Sequence, residues 1–215
     1  MDRLPRLARA RARALVFAGS AAGALLLPGM AAAAAVTAVV TDRAAHPLAD
    51  AVVMVAPVGT HLPVKPLTGV QIAQQHRQFQ PQVTVITVGT AVSFPNFDTV
   101  RHHVYSFSPT KTFELKLYAG VPNAPVVFDK PGIAVLGCNI HDQMAAWVVV
   151  ADTPFYGRTD ANGQLRLEGV PAGRYRLLAW HPRLVAGDEP VATALAVDTA
   201  DVSQRVQLDV AGAQP

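Results

Sequence analysis

Ile133-Ala134-Val135-Leu136-Gly137-Cys138-Asn139-Ile140-His141-Asp142-Gln143-Met144-Ala145-Ala146-Trp147-Val148-Val149-Val150 reads as strand, loop, strand. Ile133–Leu136 and Ala146–Val150 are short runs of apolar and β-branched residues, which favour extended backbone. The loop between them has the pattern C-x-x-H-x-x-M. It places a soft thiolate, an imidazole and a thioether within one short connection. Cys138 is the single cysteine of the 215-residue chain. A lone thiol that has no partner for a disulfide suggests a reactive or ligated group.

The same texture runs outward in both directions. Short Val-rich or aromatic stretches alternate with Pro, Gly, Asn and Asp, among them Val36–Val40, Ala51–Ala56, Val70–Gln74, Val83–Val88, Ala91–Pro95, His102–Phe107, Phe113–Tyr118, Gln164–Leu167 and Arg174–Trp180. Many short strands at close spacing predict an all-β chain of sandwiches or barrels. Only the segment after Pro109 reads as a short helical turn.

Asp98-Thr99-Val100-Arg101-His102-His103-Val104 supplies a second imidazole 36 residues before the cysteine. Two His and one Cys in a plane with a weak axial Met make a blue-copper electron-transfer site. Thiolate and thioether suit Cu(I), and imidazole suits both oxidation states. The expected ligands are therefore Cys138, His141, Met144 and one of the pair His102 and His103. Side chains alternate faces along a strand, so only one of that pair can point at a metal.

On these residues, 70–150 resembles the cupredoxins, the plastocyanin and amicyanin group. C-x-x-H-x-x-M is similar to the short amicyanin-like loop. Val83-x-x-Ile86-x-Val88-Gly89-Thr90-x-Val92-Ser93-Phe94-x-Asn96 resembles the family's V-x-V-G-D-x-V-x-(W/F)-x-N strand pair. His102-His103-Val104 stands where the family has H-N-V, which favours His102 as the ligand and gives His103 an outer role. The resemblance implies a Greek-key β-sandwich, one type 1 copper ion and one-electron transfer. His141 would be the electron port. The chain departs from the family at Ile140, where Pro or Gly is common, and at Val135-Leu136-Gly137, where an aromatic is common.

A second resemblance lies downstream. Thr159-Asp160-Ala161-Asn162-Gly163-Gln164-Leu165-Arg166-Leu167 and Val170-Pro171-Ala172-Gly173-Arg174-Tyr175-Arg176-Leu177 are similar to the carboxypeptidase regulatory-like domain, a small transthyretin-like β-sandwich. Val39-Val40-Thr41-Asp42 and Pro47-Leu48-Ala49-Asp50-Ala51-Val52-Val53 resemble its opening strands. The expected organisation is a signal peptide over 1–35, opening strands over 36–58, a copper domain over 68–152 and the rest of the regulatory-like sandwich over 153–215. The copper domain would then be inserted in that sandwich. A simple tandem, with Val36–Ala56 belonging to the copper domain, is the rival. The combination also resembles exported bacterial proteins called methylamine utilisation proteins.

Export is read from the first residues. Arg3, Arg6, Arg9, Arg11 and Arg13 precede the apolar run Ala14–Leu27, and Ala31–Ala35 offers small-residue cleavage sites. No twin arginine is present. The apolar run is shorter than the roughly 20 residues of a spanning helix. A periplasmic location with no membrane span after cleavage is expected. The full chain carries 18 basic and 15 acidic residues; beyond position 35 there remain 13 and 14, a net charge of about −1. That balance gives no support to nucleic-acid binding, which needs clustered basic charge. The expected partners are an exported dehydrogenase or cytochrome. Periplasmic copper delivery and a metal-free interaction module are the competing functions. His46, His61, His76 and His181 read as turn or surface histidines. No second cysteine exists for a binuclear copper-thiolate centre.

Overall fold

The computed structural model describes residues 33–185 and 189–212; the expected signal peptide and its cleavage sites lie almost wholly outside them. Among the described residues there is no helix, and none long and apolar enough to cross a membrane. The segment after Pro109, expected as a helical turn, is a tight turn leading into a strand, because Lys111–Tyr118 pairs back on the preceding strand.

Seventeen strands follow in order: β1 (Ala33–Thr41), β2 (Val52–Pro57), β3 (Val70–Gln71), β4 (Ala73–Gln75), β5 (Gln78–Gln80), β6 (Val83–Thr87), β7 (Thr90–Ser93), β8 (His102–Ser108), β9 (Lys111–Tyr118), β10 (Val126–Phe128), β11 (Gly132–Gly137), β12 (Ala145–Ala151), β13 (Tyr156–Arg158), β14 (Gln164–Pro171), β15 (Gly173–Trp180), β16 (Val191–Val197) and β17 (Val202–Gln207). The expected strand Val70–Gln74 divides into β3 and β4, which pair with β7 and β5.

The middle of the chain makes a five-stranded sheet, β6-β12-β11-β8-β9, facing a three-stranded sheet, β10-β7-β3. Ile86, Val104, Leu136, Val148 and Val150 from the first pack with Val92 and Phe128 of the second and with Ile72 and Phe94 beside it. Both β6–β12 and β3–β7 are parallel, so the order is not a simple meander.

The two ends of the chain build a different pair of sheets, β14-β1-β17 and β13-β2-β15-β16. Among the described residues β1 and β2 form ladders only with β13–β17, more than 100 residues away in sequence for the β1–β14 pair. The Asp160–Gly163 turn closes on the opening segment. Gly163 (φ +69°) accepts from Val40 N–H at 2.8 Å, and Leu48 N–H donates to Val40 O at 3.0 Å.

β12 is apolar on both faces because both are covered. Ala146, Val148 and Val150 turn into the core of the central sandwich, while Val149 and Ala151, with Val83 and Ile133, join the buried cluster of the terminal sheets. Trp147 meets Trp180 there, with ring centroids 6.2 Å apart. Continuous apolar runs of this kind are what a doubly covered strand requires.

Candidate metal centre

Cys138 immediately follows β11, and Met144 immediately precedes β12, so the seven-residue loop is pinned at both ends by a paired strand. Within it Met144 N–H donates to His141 O at 2.9 Å and Ala145 N–H to Gln143 O at 3.1 Å, which tightens the turn. Cys138 and Met144 are both buried in the central core. Asn139, Asp142 and Gln143 face solvent, and His141 is half-buried between them.

His102 opens β8 and is fully buried. Its Nδ1 lies 4.0 Å from Cys138 Sγ. Its ring sits against that of His141, centroids 5.0 Å apart and tilted by 59°. One donor atom from each of His102, Cys138 and His141 falls within 4.8 Å of the others, the one such cluster of His, Cys, Asp or Glu among the described residues. His141 Nδ1 is buried with no hydrogen-bond partner. A buried polar atom without a partner is costly. Bonds of about 2.0 Å to nitrogen and 2.3 Å to sulfur are long enough to bridge the 4.0 Å between His102 Nδ1 and Cys138 Sγ, and His141 belongs to the same cluster. The three residues therefore fit a metal ion, and Met144 is buried in the same core as Cys138.

His103 behaves differently. Its side chain lies against Tyr105, and its Nε2 is 2.9 Å from Glu114 Oε1, although not aligned for a hydrogen bond. It is buried, but away from the cluster that contains His102, Cys138 and His141.

The approach to His102 is rigidly braced. Asn96 donates through Nδ2 to Val100 O and Tyr118 O, both at 2.9 Å, and accepts from Asp98 N–H at 2.9 Å. Asp98 Oδ2 then lies 2.8 Å from His102 Nε2. Burial alone would push the Asp98 carboxyl up; the Arg77 and His76 backbone N–H groups and the His102 ring outweigh it and hold the carboxyl below its ordinary value. Behind this, Tyr118 donates to Phe94 O at 2.6 Å and contacts Gln74 Nε2. Burial pushes its hydroxyl up to about 12, so it stays a neutral donor.

The aromatic residue that is missing before Cys138 is supplied from the next strand. A Cβ at Gly137 would stand 2.6 Å from the Tyr105 ring, so the glycine makes room for it. Sequence reasoning missed Asp98, Asn96 and Tyr105 as neighbours of the site. An acidic residue four positions before a candidate ligand histidine was the one available signal.

No protein-family model and no curated protein sequence matches the chain. Among solved structures it is similar to a purple cupredoxin from Nitrosopumilus maritimus, at 23% identity over 38% of this chain and 99% of that one, TM-score 0.34. It is similar to amicyanin at 15% identity over 46% and 98%, TM-score 0.36. It is also similar to a copper-containing nitrite reductase from Thermus scotoductus, at 27% identity over 54% of this chain and 28% of that chain, TM-score 0.37.

Proposed function

We propose that this chain is an exported, mononuclear blue-copper protein of cupredoxin type that carries single electrons between redox partners. The observation that carries the reading is the convergence of His102 Nδ1, Cys138 Sγ and His141 on one point, with His141 Nδ1 buried and unpartnered. Bound there, copper would supply a one-electron couple. The chain's residues do the rest. His102 and Cys138 would hold the ion from within the core, and Met144, from the same core, would approach as the weak fourth ligand. The strand-anchored loop resists rearrangement when charge changes. His141, the least buried of the set, would lead electrons to the surface, with Ile140 exposed beside it.

The partner would be an exported dehydrogenase or cytochrome in the periplasm, met through a small, short-lived contact of the kind redox encounters make. The domain organisation is also part of this proposal. The copper sandwich, 68–152, would be inserted in a regulatory-like sandwich made of 36–58 and 153–215. The pairing of β1 with β14 and β17, and of β2 with β13 and β15, supports insertion over a tandem.

The test is the visible spectrum of the purified protein after Cu(II) is added, beside Cys138→Ser. An intense blue thiolate-to-copper band, lost in the variant, is expected. A colourless protein that binds Cu(I) tightly would replace the reading with copper delivery. A protein that binds no copper would leave an interaction module.

A further inference from the structure

Asp98 has no ligand position of its own, yet it is tied more firmly than any other carboxylate near the site. Its Oδ1 accepts from His76 N–H at 2.8 Å and its Oδ2 from Arg77 N–H at 2.9 Å. The same Oδ2 lies 2.8 Å from His102 Nε2. His76 and Arg77 are the two turn residues of the β4–β5 hairpin, where Gln75 pairs with Gln78. Both have left-handed backbone, φ +55° and +57°, though neither is glycine. Non-glycine residues in that region cost free energy, and they persist where surrounding structure requires them. Here the requirement is visible: this conformation turns two successive N–H groups onto one carboxylate.

The carboxylate can only accept, so the proton in the Asp98–His102 contact sits on Nε2. That leaves His102 Nδ1 bare, and Nδ1 is the atom 4.0 Å from Cys138 Sγ. Partners of this kind on the outer nitrogen of a ligand histidine fix its tautomer and raise its donor strength.

We infer that Asp98, clamped by the His76-Arg77 hairpin tip, is a positioning residue that fixes His102 with Nδ1 toward the metal and strengthens it as a donor to the oxidised ion. The inference rests on the copper reading above. A stronger anionic partner behind the imidazole favours Cu(II) over Cu(I) and keeps the reduction potential low. The hairpin contributes through its backbone, and the His76 and Arg77 side chains are dispensable.

The experiment uses the whole chain loaded with copper. Asp98→Asn keeps size and a hydrogen-bond acceptor but removes the charge. It should retain copper while the Cu(II)/Cu(I) affinity ratio falls about tenfold, a rise of about 59 mV in potential. The double variant His76→Gly/Arg77→Gly keeps both N–H donors in a backbone that glycine adopts freely, so its potential should match the parent. An Asp98→Asn potential equal to the parent's would overturn the inference. Nitrogen-15 NMR of the metal-free parent is the arm that needs no variant to fold. His102 protonated on Nε2 supports the inference, and protonation on Nδ1 overturns it. A parent that binds no copper would sink the copper reading alone, and the NMR result would still decide what Asp98 does to His102.

Discussion

Gly163→Ala is the substitution that asks most of the terminal sheets. Gly163 sits at φ +69°, and a Cβ there would lie 2.4 Å from Val40 O, 3.0 Å from Leu48 N and 3.3 Å from Pro47 Cα. All three are backbone atoms, so no flexible side chain can swing aside. The left-handed conformation costs a β-carbon about 1–2 kcal/mol. Relieving the clash pulls apart Val40 N–H to Gly163 O and Leu48 N–H to Val40 O, each worth about 0.5–1.5 kcal/mol. Together the change should destabilise the protein by about 2–5 kcal/mol, which for a chain of this size lowers the melting temperature by roughly 10 °C. Thermal unfolding followed by circular dichroism measures it. The spectrum of the copper-treated protein at low temperature should not change, because Gly163 lies in the terminal sheets and the His102, Cys138 and His141 cluster in the central sandwich. A melting temperature within 2 °C of the parent, taking about 2–4 °C per kcal/mol, would refute both the close approach and the return of residues 159–163 onto the opening strands.

His102→Ala should abolish the blue band, whereas His103→Ala should keep it, since His103 faces Glu114 and Tyr105; visible absorption of the two copper-treated variants decides it, and the reverse pattern would reassign the ligand. His181, expected at a turn or on the surface, is buried instead and offers a pH test. Burial, then the nearby Arg183, holds its imidazole below the ordinary value, with Asp50 opposing and Arg158 reinforcing. Its Nδ1 accepts from Arg183 N–H at 3.1 Å, a bond that protonation of that nitrogen would remove. The folded state therefore binds this proton less readily than the unfolded chain, whose histidine titrates near 6.5. This contribution is intact above about pH 6.5 and is lost as pH falls below it. Melting curves between pH 5 and 8 should show a steeper acid-side fall for the parent than for His181→Asn, and parallel curves would count against it.

The site was legible where chemistry is written in consecutive residues. Cys138, His141 and Met144 stand within seven residues, and the flanking apolar runs give their loop its strands; the structure brings the first two together with His102. His102 was harder, because His102, His103 and Val104 are all buried and simple alternation does not separate them. The register slip between β8 and β9 at His102/Val104 disturbs the pattern there. The β4–β5 hairpin escaped for another reason. Its turn, His76-Arg77, carries none of the Gly, Asn or Asp that mark left-handed turn positions; Asp98, over 20 residues away, supplies the acceptor for both N–H groups. β13 is three residues long beside Pro154, too short for any periodicity. The sequence likewise gives no sign that Tyr105 from β8 would occupy the space above Gly137.

The double covering of β12, with Val83 of β6 and Ile133 of β11 beside it, sets limits on how this protein can be taken apart. A fragment cut at residues 68 and 152 would carry Val83, Ile133, Val149 and Ala151 into water on one continuous face. Such a face is an aggregation surface, so an isolated central sandwich needs those positions recoloured with polar residues before it can be grafted elsewhere. In the intact chain the terminal sheets keep that patch away from solvent. The His141 loop, flanked by the exposed Asn139, Ile140, Asp142 and Gln143, stays open to solvent.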